Sequence, residues 1–106
     1  MTLSKKTLAI LLGLTLLAGA ASAQSYKGEK LAVNAKITME QARAIALKAH
    51  PGTITDEELE KESGGSGLRY SFDIKNSKDD KVTYEVGVDA KTGKVLENKK
   101  EGKNPD

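Results

Sequence analysis

Two stretches of strict alternation organise the second half of this 106-residue chain. Leu68, Tyr70, Phe72 and Ile74 interleave with Arg69, Ser71, Asp73 and Lys75, and Val82, Tyr84, Val86 and Val88 interleave with Thr83, Glu85, Gly87 and Asp89. A period of two sends neighbouring side chains to opposite faces, so each stretch predicts a strand with one apolar and one polar face. The polar Asn76–Lys81 between them predicts a turn. The pair is therefore an antiparallel hairpin that needs covering on one side only.

The cover lies upstream. Ala42, Ile45, Ala46 and Ala49 recur at helical spacing and present a small-residue face that can lie close to a sheet, while Arg43 and Lys48 point elsewhere. Thr38 with Gln41 three residues later forms a capping box, and Ile37 with Ala42 forms a hydrophobic staple. Pro51 disfavours a helical conformation at His50, and Gly52 supplies the exit turn. A helix over Met39–Ala49 or His50 follows.

Thr53–Ser63 is less decided. Thr55 with Glu58 resembles a second capping box and Gly64 a helix terminator, but a helix here would bury only Leu59. As a strand over Glu57–Glu62, Glu58, Glu60 and Glu62 share one face, opposite Arg69 and Lys75 of the next strand. The strand is the better reading, with a kink or bulge before it. Ser63–Gly67 has turn composition. Asp89–Lys94 is a tight reversal in which Asp89, Thr92 and Gly93 are the structural turn residues, with a positive φ expected at Gly93. A short final strand starts at Val95–Glu97, and residues 98–106 read as a disordered tail because they hold no large apolar side chain. Residues 24–36 read as a flexible leader, extended near Leu31.

The first 23 residues change the compartment rather than the fold. Lys5 and Lys6 form a charged start, Thr7–Ala18 is apolar or small throughout, and Ala21-Ser22-Ala23 is a small-x-small cleavage pattern. This is a signal peptide in form, and its apolar part is short for a spanning helix. Cleavage would leave no stable membrane anchor and would send Gln24–Asp106 to the periplasm or the medium. The formal charge of +2 disappears with Lys5 and Lys6, since the remaining 15 Lys+Arg face 15 Asp+Glu. A neutral chain lacks the long-range pull of a nucleic-acid binder. With no cysteine there is no disulfide framework.

Candidate chemistry is sparse. His50 is the sole histidine, and no activated-serine motif accompanies Ser63, Ser66 or Ser71, so a cation at a helix C-terminus is the simpler reading. The carboxylates Asp56, Glu57, Glu58, Glu60, Glu62, Asp79 and Asp80 interleave with lysines, and Asp89–Glu97 lacks the ligand spacing of a calcium loop. Tyr70, Phe72 and Tyr84 lie on the face the helix must cover and read as core. No cofactor, metal or catalytic set is expected. The polar sheet face, Arg69, Ser71, Asp73, Lys75, Thr83 and Glu85, is the broad surface left for a partner.

The order of elements resembles a PepSY domain over about residues 37–97. The resemblance is carried by ITMEQARAIALKAHPG at Ile37–Gly52, the Tyr70 strand, and VTYEVGVDAKTGKVLE at Val82–Glu97, with Val88–Val95 its most specific part. It implies an α+β fold, a single helix on one face of an antiparallel sheet of three to four strands. It also implies a non-enzymatic exported module that modulates or inhibits an extracytoplasmic peptidase by protein–protein contact. A small-molecule or cation-binding envelope module using the acidic strand is the alternative.

Overall fold

The computed structural model describes residues 25–101, so residues 1–24, on which the signal-peptide reading falls, and residues 102–106 lie outside the described residues. One α-helix, α1 (Met39–Ala49), packs across a four-stranded antiparallel sheet of β1 (Gly52–Lys61), β2 (Leu68–Asn76), β3 (Thr83–Asp89) and β4 (Val95–Lys100), in spatial order β1-β2-β3-β4. Every strand neighbours the next in sequence, as short connections favour.

α1 begins where its cap requires. Gln41 N–H donates to Thr38 Oγ1 at 3.1 Å, and Gln41 Oε1 accepts from Thr38 N–H at 2.9 Å. A cap of this kind contributes about 1 kcal/mol. The helix buries Met39, Ala42 and Ala46 against Tyr70, Phe72, Ile74, Val86 and Val88. Tyr70 reaches beneath the helix start, where its hydroxyl donates to Ile37 O at 2.7 Å. Burial is the main cause that pushes this phenol up to about 12.

Arg43 does not simply point away. Its Nε and Nη2 each donate to a Glu57 carboxylate oxygen at 2.8 Å, a two-pronged tie between α1 and β1. This pairing raises the guanidinium's already high pKa. Glu57 can make it because β1 is a strand, with Glu57 and Leu59 on the helix side. β1 is longer than the sequence suggests, running from Gly52, and it carries a bulge between Ile54 and Asp56.

Two segments are more ordered than their sequence predicts. Residues 25–36 are not a loose leader: Glu29–Asn34 is a 3-10 helix, so Leu31 is not extended. Tyr26, Leu31, Ala32 and Ala35 pack on the core. This strap also meets the outer edge of β1, where Leu59 N–H donates to Lys27 O at 2.9 Å. Residues 98–101 are not part of a disordered tail either. Asn98, Lys99 and Lys100 pair with Val86, Glu85 and Tyr84, and Glu101 N–H donates to Thr83 O at 2.8 Å. Main-chain pairing, not apolar content, holds this stretch.

Candidate partner-binding face

The sheet face opposite α1 is a grid set by strand register. One row across the sheet reads Thr53, Lys75, Thr83, Glu101; the next reads Asp56, Asp73, Glu85, Lys99; then Glu58, Ser71, Gly87, Glu97; and last Glu60, Arg69, Asp89. The face carries eight carboxylates against three cations, although the chain from residue 24 onward is formally neutral.

Half of this face is sealed by the protein itself. The Ser63–Gly67 loop folds over the last row: Ser66 donates to Asp89 from both N–H and Oγ, at 2.6 and 2.8 Å. Asp89 also accepts from Lys91 N–H and Thr92 N–H at 2.8 and 3.1 Å. Burial alone would raise this carboxyl, which is 1% exposed, but these hydrogen bonds outweigh it and bring the pKa to about 2. Gly93 completes the reversal at φ 80°, donating its N–H to Asp89 O at 2.9 Å. One side chain therefore ties the β1–β2 loop to the β3–β4 turn.

Arg69 is 7% exposed, not the surface cation the alternation suggests. It lies across Gly87, and donates from Nη1 to Glu97 at 3.2 Å and from Nη2 to Ser63 O at 3.1 Å; its Nε finds no acceptor. Its register neighbour is Glu60, yet Glu60 accepts from Ser71 Oγ at 2.7 Å. Ser71 is buried by that contact. Of the six residues expected on a partner face, Arg69 and Ser71 are thus consumed internally.

The other end stays open. Lys75 is exposed, and Asp73, Thr83 and Glu85 are half-buried. Asp73 stands between Asp56 and Glu85, two like-charge neighbours. Burial, then Glu97 and Asp73, raises the Glu85 carboxyl; burial and a hydrogen bond with Asp73 raise Glu101. Glu97, Lys99 and Glu101 belong to this face as well. Sequence reasoning missed Lys99 and Glu101 because it read residues 98–106 as a tail, and Glu97 because it did not count the short final strand in the polar face.

The acidic residues of β1 do not converge. Glu57 faces Arg43, Glu58 lies 3.8 Å from Lys27, and Glu60 holds Ser71. Among the described residues, no three or more His, Asp or Glu side chains are grouped to hold a metal ion. His50 stacks on Tyr84, with ring centroids 3.8 Å apart, and its Nε2 lies 3.0 Å from Asn76 Nδ2. Asn76 Oδ1 already accepts from Lys78 N–H and Asp79 N–H, so the amide turns its nitrogen to the ring and Nε2 accepts. Stacking and this contact position the ring at the end of α1. A cleft of about 290 Å³ opens between the strap and the start of α1, but its arginine, Arg43, is committed to Glu57.

The family model described as "Peptidase propeptide and YPEB domain" matches residues 36–99, which is the whole of α1 and nearly all of the sheet. The chain belongs to the PepSY family. Neither a curated protein nor a solved structure matches it. PepSY domains are propeptide-like regulatory modules, and the motif at Val88–Val95 has a physical explanation here: it supplies the buried Asp89 and the positive-φ Gly93 that lock the two loops. Among the described residues, no helix is long and apolar enough to cross a membrane.

Proposed function

We infer that this PepSY protein is a non-catalytic module of the bacterial envelope that modulates an extracytoplasmic peptidase by direct contact, inhibition being the simplest form. The observation that carries the reading is the match to the peptidase-propeptide model over residues 36–99, on a domain whose second sheet face is free at one end. The contact surface in this reading is that open end, Asp73, Lys75, Thr83 and Glu85, with Lys99 and Glu101 beside them.

Carboxylates that crowd one another favour a partner surface bearing cations, because an arriving ammonium or guanidinium relieves repulsion already present in the free domain. The signal-peptide reading of residues 1–23 supports the same compartment. Capture of envelope peptidases on the immobilised protein, followed by titration of each captured enzyme's hydrolysis rate, tests the proposal. Asp73→Lys and Glu85→Lys each remove a like-charge neighbour, so the fold should survive while the contact weakens. Undiminished capture by a folded double variant would move the contact away from this face.

A further inference from the structure

The two edges of the sheet are not equivalent. The outer edge of β1 is met by the strap through Leu59 and Lys27, and a side chain at Gly28 would run into the Leu59 carbonyl oxygen. Along the outer edge of β4 no further strand is paired among the described residues. One hydrogen bond identifies its free groups. Glu101 N–H bonds Thr83 O, and the register sets Lys99 against Glu85 and Glu97 against Gly87, so these odd-numbered residues turn their main-chain groups to β3. Asn98 and Lys100 turn theirs outward, because the N–H and C=O groups alternate sides along a strand. An unpaired row of this kind is a template for another strand.

We propose that β4 pairs antiparallel with β4 of a second copy, about a two-fold axis at Asn98, joining two sheets into one of eight strands. The charges select this register. Symmetry about residue 97 would set Glu97 against Glu97, and symmetry about residue 99 would set Lys99 against Lys99 and Glu97 against Glu101. Symmetry about Asn98 sets Glu97 opposite Lys99 of the second copy, twice, at a position where Cα atoms approach to about 4.5 Å. Opposite charges there stabilise a pair of strands and like charges oppose it.

The side chains are prepared for this pairing. Arg69 holds one oxygen of Glu97 at 3.2 Å, while the other oxygen lies 3.3 Å from Lys99 Nζ. The Lys99 side chain is 70% exposed and free to reach across. Asn98 would exchange two main-chain hydrogen bonds with its mate, the isologous contact of a two-fold dimer. α1 packs across β2, β3 and β4, and its end reaches the strand at the axis itself, where Asn98 Nδ2 donates to Ala49 O at 3.3 Å.

The rival reading is that Lys94, Lys99 and Lys100 blunt the edge and keep the protein monomeric. Sedimentation equilibrium of the purified protein from micromolar to millimolar concentration separates the two. The expected result is a reversible monomer–dimer equilibrium that weakens with added salt. Lys100→Pro removes an outward N–H but no bond to β3, and Lys99→Glu faces Glu97 with a like charge. Each should raise the dimer dissociation constant about tenfold or more, with melting of dilute monomer checking the fold. Amide exchange at Asn98 and Lys100 should slow as concentration rises. A monomer at millimolar concentration, or a dimer indifferent to both variants, overturns the proposal. So does protection of these two amides that needs an added peptidase, which would give the edge to a foreign strand. Peptidase modulation is tested separately and does not depend on this outcome.

Discussion

Arg69 and Glu97, 28 residues apart, meet across β3 with Nη1 3.2 Å from Oε1, and their ion pair closes the sealed half of the open sheet face. The pair is reached over Gly87, whose missing side chain leaves room for the guanidinium stem. A cation this buried is held in place by its acceptors, so removing it leaves Glu97 Oε1 and Ser63 O without their donor. Arg69→Glu should cost about 3 kcal/mol or more, as breaking buried pairs does. Lys75→Glu, on an exposed side chain two residues along the polar face from Asp73, should stay within about 0.5 kcal/mol. Urea melts of the two variants check the contrast; equal midpoints would mean that Arg69 is not a structural residue.

Stability should pass through a maximum in mild acid. Glu85 and Glu101 are raised above 4.5 in the folded state, so the native protein binds their protons more tightly than the unfolded chain does. Their unfavourable effect is full at neutral pH and is relieved as pH falls through those raised values toward 4.5. Asp89 behaves oppositely. Its contribution, about 2 kcal/mol from a drop of 3.8 to about 2, is present above pH 3.8 and is lost as pH falls toward 2. Denaturant midpoints should therefore rise from pH 7 to about 4–5 and then fall, and Asp89→Asn should flatten the acid limb.

The β3–β4 reversal depends on backbone conformation. Gly93 sits at φ 80°, and a side chain there would also press on Ile45 Cδ1 at 3.3 Å. Gly93→Val should destabilise by about 1–3 kcal/mol in a denaturant melt.

The strap offers a local test. Gly28→Val cannot be accommodated against the Leu59 carbonyl, so the strap should lift from β1. Hydrogen exchange at the Leu59 amide should accelerate well before that of amides in the centre of β2, a sub-global opening rather than global unfolding.

The sequence already spelled out the parts that depend on local periodicity. The Thr38–Gln41 box, the Ala42/Ala46 face and the two alternating strands need only neighbouring residues to be read, and each stands where its pattern puts it. What escaped was decided by long-range contact. Nothing in the alternation of β2 distinguishes Arg69 from Lys75; the difference is that Ser63–Gly67 folds over one end of the sheet and not the other. The Ser66–Asp89 tie had one legible signal, an aspartate opening a reversal whose side chain can accept from the next N–H groups. The strap was illegible because Tyr26, Leu31 and Ala35 have no helical or strand period, and their order comes from the core they rest on. Asn98–Lys100 looked like tail because a strand edge is stabilised by main-chain bonds that composition does not reveal.

The central claim, that this PepSY domain acts on a peptidase through contact alone, is tested most directly by enzyme kinetics. The purified protein would be titrated against each extracytoplasmic peptidase of the producing cell while hydrolysis of a small fluorogenic peptide is followed. The account predicts a saturable change in rate for at least one enzyme, with the domain itself emerging intact and the effect weakened by Asp73→Lys with Glu85→Lys. Rates unaltered at saturating protein for every peptidase, with no heat of binding by calorimetry, would contradict it.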